Sequence, residues 1–159
     1  MRTLLLVLTI LVIQLVASAG SAQGSADGGS AQASAEYTQV IKQAVTEFDA
    51  GNWLEARVLF QRAHALSPNA RTWRSLGITA FEMRRYVDAI AELEGALADN
   101  RKPLTEKQRK EVQDLLGRAR AFVAVYQVSV APQEAEVIVD GQPAVLKDGQ
   151  LYLDPGHHV

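Results

Sequence analysis

Between residues 36 and 122 apolar positions recur at intervals of three and four, the spacing that lines one face of an α-helix. Ala, Leu, Glu, Arg and Gln dominate the segment and proline appears only at boundaries, so intrinsic preference agrees with the period. The pattern predicts helices over 36–50, halted by Gly51-Asn52, and over 53–66, halted by Ser67-Pro68. It predicts two more over 70–83, turning at Arg84-Arg85, and over 86–98, before Asp99 to Pro103. A fifth begins at Thr105, where Thr105 and Gln108 stand at capping-box spacing, and runs to 122. Its apolar stripe is Val112, Leu115, Leu116, Ala119 and Phe122. After 123 the period changes to alternation: Tyr126, Val128 and Val130 against Val125, Gln127 and Ser129, then Val137, Ile138 and Val139. With turn signals at Asp140-Gly141 and Asp148-Gly149, this predicts short strands and hairpins. Lys and Arg number 14 against 12 acids in 36–122, whereas 123–159 holds Lys147 against five acids. A boundary near 122–126 follows from both changes.

The N-terminal residues have a different character. Arg2 precedes a run over 4–16 that is apolar except for Thr9 and Gln14, and Ala17 to Ala22 are all small. About 13 apolar residues suit a signal-peptide core and fall short of the ~20 that a bilayer span needs. Residues 1–22 are expected to be a signal peptide cleaved after Ala19 or Ala22, the alternative being an uncleaved anchor or a buried helix. Export follows, with no membrane-spanning helix left after cleavage. Residues 23–35 are Gly, Ser, Ala and Gln with the single charge of Asp27, which predicts a flexible linker.

Displacing the chain by 33 residues brings Trp53 onto Tyr86, Ala56 onto Ala89, Phe60 onto Leu93 and Ala63 onto Ala96. A period of this size with helix–turn–helix units signals a stacked repeat. One unit contains Trp73-x-x-Leu76-Gly77-x-x-Ala80 followed by Tyr86-x-x-Ala89-x-x-x-Leu93-x-x-Ala96. The unit before it contains Gly51-x-Trp53-x-x-Ala56-x-x-x-Phe60-x-x-Ala63 and Pro68, without the aromatic and Leu-Gly set in its first helix. This resembles the tetratricopeptide repeat; the competing reading is an unrelated antiparallel bundle. The resemblance implies an all-α stack of two hairpins over 36–122, with the fifth helix as a cap. Gly77 and Ala89 are expected where helices cross closely, and Trp53, Trp73, Leu76, Tyr86 and Leu93 as filling between helices.

The last segment contains Ala135-x-Val137-x-Val139-Asp140-Gly141 and then Leu153-x-Pro155-Gly156-x-His158. These motifs are similar to the PEGA domain, a small β module of bacterial envelope proteins. That family continues for further strands where this chain reaches Val159, so the expectation is a small, truncated all-β PEGA-like module over 123–159.

Chemistry-bearing motifs are sparse. Composition is ordinary, with 48% hydrophobic residues, 21% charged residues and a formal net charge of −2, and it offers no basic cluster for nucleic acid. The absence of cysteine excludes disulfides, thiolate metal sites and a cysteine nucleophile. Adjacent His157 and His158 on a strand would point to opposite faces, which argues against joint ligation of a metal. His64 is expected as a surface or half-buried residue. Glu92 and Glu94 are two apart on a helix and face different ways. No phosphate loop, nucleophile elbow or metalloprotease motif occurs, so neither an enzyme nor a cofactor is expected.

The tetratricopeptide resemblance carries one functional surface, the groove lined by the first helix of each unit. Its positions here are Thr38, Ile41, Val45, Phe48 and Asp49, then Arg71, Arg74, Ile78, Phe81 and Glu82. The implied partner is another protein, offering a peptide or an amphipathic helix with an acidic group opposite Arg71 and Arg74. The bland alternative for that pair is a solvated helix start. The two resemblances together imply an exported scaffold of the cell envelope, in contact with an envelope or cell-wall component. The alternatives are a structural envelope or surface-layer component assembling through its β module, or a regulatory part of an envelope signalling system.

Overall fold

The computed structural model describes residues 25–132 and 135–159; the expected signal peptide lies outside them. Five helices are followed by four short strands: α1 (Ser25–Asp49), α2 (Trp53–Leu66), α3 (Ala70–Glu82), α4 (Tyr86–Ala98) and α5 (Glu106–Phe122), then β1 (Ala124–Gln127), β2 (Ile138–Val139), β3 (Gln142–Pro143) and β4 (Gln150–Leu153). The first helix begins at Ser25, within the stretch 23–35 that was expected to be a linker. Ala and Gln there are tolerant of helix, although Gly28 and Gly29 each cost about 1 kcal/mol relative to alanine. Residues 31–35 are all exposed, so the extension is helical without being packed.

The helices stack in chain order, each against the next. The displacement of 33 residues reappears in the backbone. The turn from α1 to α2 bonds Gly51 N to Phe48 O at 3.0 Å and Asn52 N to Glu47 O at 2.9 Å. The turn from α3 to α4 bonds Arg84 N to Phe81 O at 3.0 Å and Arg85 N to Ala80 O at 2.9 Å. Gly51 has φ 80° and Arg84 has φ 59°, so Arg84 holds a left-handed conformation that glycine adopts more easily. Asn69 caps α3 and Thr105 caps α5, each through a reciprocal capping box.

The core between these helices is built from small residues beside large ones. Ala56, Phe60, Ala63, Leu76, Ala80, Tyr86, Ala89, Leu93 and Ala96 are buried, as is Gly77. Trp53 and Trp73 are half-buried, Trp53 edge-on to Phe48 and Trp73 against His64. The tightest approach is at Gly77, where an added Cβ would stand 2.7 Å from the Leu93 side chain and 3.1 Å from its backbone nitrogen. Tyr86 stacks on Phe122 with ring centres 4.6 Å apart, and Phe81 meets both edge-on. α5 thereby closes the end of the second hairpin, with Val112, Leu116 and Ala119 buried.

One ion pair lies inside the stack. Arg57 on α2, 6% exposed, donates to both oxygens of Glu92 on α4 at 2.7 and 3.0 Å, and to the Leu76 carbonyl of α3 at 3.5 Å. Burial, with a smaller push from the Asp88 charge, raises the Glu92 carboxyl above its ordinary value against the opposing pull of the Arg57 guanidinium.

The β segment folds back on the helices. β1 pairs antiparallel with β4, from Ala124 opposite Leu153 to Gln127 opposite Gln150, and β2 pairs with β3. The strand period expected through Val130 stops at Gln127. Both predicted Asp-Gly turns form with positive φ at each residue, 52° and 74° at Asp140-Gly141 and 53° and 73° at Asp148-Gly149. Arg85, the N-cap of α4, gives no side-chain cap; Asp154 Oδ1 instead accepts from Val87 N at 2.8 Å, 67 residues away. Glu94 on the same helix meets Arg120 at 2.7 Å and Lys147 at 3.7 Å.

Gly77→Ala is expected to lower unfolding free energy by about 1–3 kcal/mol in urea titration, because Leu93 must shift to admit the methyl group. Glu92→Leu is expected to cost roughly 3–5 kcal/mol by leaving Arg57 buried with only the longer contact to Asp88, at 3.8 Å, while Arg57→Met with Glu92→Leu recovers most of that loss. A double variant no more stable than Glu92→Leu would show that the charge itself is not the penalty.

Candidate functional site

The expected groove residues fall into three groups. On α1, Ile41 and Phe48 are half-buried and pack against the cluster of Ala44, Ala56, Phe60 and Leu76. Val45 is 45% exposed, and Thr38 and Asp49 are exposed. On α3, Phe81 is buried beneath Tyr86 and Phe122, with the Arg118 guanidinium 4.9 Å above its ring. The physical reason is α5: its last turn covers the surface that the first four helices alone would leave open. Arg71 stays exposed at the start of α3.

The third group forms a concave site. Arg74, Ile78 and Glu82 stand at successive turns of one α3 face, opposite Glu111, Leu115 and Arg118 on α5. Between them lies a cavity of about 350 Å³. Its floor is apolar, from Ile78, Val112 and Leu115, and its rim is charged. Arg74 Nη2 donates to Glu111 Oε2 at 2.9 Å, so this guanidinium is already engaged across the groove. Its Nε is buried and has no hydrogen-bond partner among the described residues. Glu82 and Arg118 are exposed and make no ion pair among the described residues. The acidic group expected opposite Arg71 and Arg74 would therefore meet Arg118 more readily than Arg74.

Sequence reasoning missed the α5 half of this site. Glu111, Leu115 and Arg118 lie at i, i+4 and i+7, one face of a helix, which was the available signal. Treating α5 as a cover for the core hid its second face.

The histidines resolve into packing and a clasp. His64 is half-buried, with Nδ1 2.8 Å from Thr72 Oγ1, and burial and the Arg101 charge lower its pKa against an opposing pull from Asp99. His158 places Nδ1 2.7 Å from Asp140 Oδ2 and Nε2 2.8 Å from the Asp154 carbonyl. Both neighbours are acceptors, and a neutral imidazole has only one N–H, so the arrangement favours the imidazolium. The hydrogen bonds that His158 donates to the Asp140 carboxylate and to the Asp154 carbonyl raise the His158 pKa, and the Asp140 carboxyl is lowered in turn. Val159 N also donates to Asp140 Oδ1 at 3.0 Å, which ties the last residues to the β2–β3 turn. Among the described residues no group of His, Asp and Glu has the arrangement of a metal site, and no helix is long and apolar enough to cross a membrane.

No protein-family model, curated protein or solved structure matches the chain.

A raised folded-state pKa means that the clasp contributes fully below the ordinary histidine value of 6.5 and is lost as pH rises through the folded value. In an NMR titration the His158 ring protons should therefore titrate above 6.5, and Asp140→Asn should move the midpoint down. A midpoint at or below 6.5 in the unsubstituted protein would remove the clasp.

Proposed function

We propose that the chain is an exported adaptor of the tetratricopeptide type whose α3–α5 groove holds an extended or helical segment of a partner protein. The observation that carries this reading is the groove itself: an apolar floor of Ile78 and Leu115 between the exposed charges of Arg118 and Glu82. Apolar residues at helical or strand spacing would fill the floor, and a carboxylate beside them would meet Arg118. Binding is an equilibrium event and calls on no cofactor. The 33-residue correspondence between the two hairpin turns supports the repeat assignment. Export rests on residues 2–22, and placement in a bacterial envelope rests on the PEGA-like motifs of the β segment. Because Asp154 caps α4, the β segment is built into the helical body, which favours one adaptor over a strand assembly carrying a helical spacer.

Selection of a random displayed peptide library on the folded protein tests the groove. Enriched peptides should combine apolar residues with an acidic one. Their affinity should fall about tenfold or more in Arg118→Glu, the scale of one charge-assisted contact. Lys107→Glu, a charge change elsewhere on α5, should leave affinity unchanged. Peptides that bind Arg118→Glu and Ile78→Asp as well as the unsubstituted protein would overturn the reading.

A further inference from the structure

A second cavity, of about 520 Å³, lies between α4 and the β segment, on a different side of α4 from the residues that meet α3. One wall is the stripe Val87, Ile90 and Ala91. The facing wall is the cross-strand pair Val125 and Tyr152, which share a face of the β1–β4 ladder. Val145, 86% exposed, stands at its margin. The volume falls within the roughly 300–1,000 Å³ range of small-molecule sites.

Its charged groups gather at one end. Glu94 lies about two helical turns beyond Val87, and Arg120 and Lys147 converge on it from α5 and from the loop before β4. Two cations meet one carboxylate, so this end carries one positive charge in excess. Arg120 and Lys147 remain 57% and 68% exposed in their side chains. A guanidinium has five N–H donors and an ammonium three, which leaves donors for an incoming anion without breaking the contacts to Glu94.

We infer that this slot binds a single-chain anionic amphiphile, a fatty-acid carboxylate, with its tail between α4 and the β1–β4 face and its head on Arg120 and Lys147. The walls from Val87 to Ala91 offer side-chain hydrocarbon, and the Tyr152 hydroxyl is already bonded to Gln150 Oε1 at 2.8 Å. A peptide backbone there would bury N–H and C=O groups without partners, whereas an alkyl chain has none to satisfy. The stripe from Val87 to Glu94 spans about 10 Å, on the order of the length of an eight- to ten-carbon chain.

Calorimetric titration of the folded protein with decanoate, decanol and decyltrimethylammonium, all below their aggregation thresholds, tests the assignment. Decanoate should bind saturably at one site, and the cationic amphiphile at least about tenfold more weakly. Lys147→Glu should narrow or reverse that preference. Ala91→Trp, at an exposed helical position, should abolish decanoate binding with the helical circular dichroism intact, and Val145→Asp at the margin should weaken it. Ile78→Asp, in the α3–α5 groove, should leave it unchanged, so the outcome is independent of the peptide-binding proposal. Equal affinity for all three amphiphiles, absence of saturable decanoate binding, or equal loss in Ile78→Asp would each overturn it.

Discussion

Where α2, α3 and α4 meet, the guanidinium of Arg57 is enclosed and its charge has to be answered by the Glu92 carboxylate. Glu92 is followed by Leu93, which occupies the space a side chain at Gly77 would need, and Gly77 follows Leu76, whose carbonyl faces Arg57. Ion pair and close approach thus occupy one spot. Sliding α4 along α3 by a turn would strand a charge and drive Leu93 into a larger residue, so both penalties favour the same register. The flanking alanines would pack tolerably in several registers; this junction would not.

The helices were legible because their ends are marked by residues with few conformational alternatives. Gly51, Pro68 and the capping pair led by Thr105 bound elements whose limits follow from backbone chemistry alone. The 33-residue displacement was visible in Trp53 and Tyr86 and returns in the turns before them. Arg57 and Glu92 were not legible, since a charged residue on an amphipathic helix reads as solvated until its neighbours in space are known. The same holds for β1 with β4: strands of four residues take their partner from the surface they pack on. Asp140-Gly141 and Asp148-Gly149 could be assigned because turn chemistry is local.

The candidate groove shows the difference most clearly. Positions on α3 were named from the sequence, yet Phe81 proved to be core and Arg74 a strut to Glu111. Those roles depend on α5, which buries Val112, Leu116 and Ala119 on one face and presents Leu115 and Arg118 on another. A helix serving as cover for one surface and wall for the next cannot be assigned from its apolar stripe alone.

Asp154 supplies the first turn of α4 with an acceptor that the helix's own N-cap does not. A helix N-terminus left with bare amides loses both a hydrogen bond and a favourable meeting of carboxylate and dipole. A hydrogen bond of the helical body therefore crosses the compositional boundary near 122. Amide exchange in the opening turn of α4 should keep time with the detachment of β4, and the unit that folds should comprise both segments.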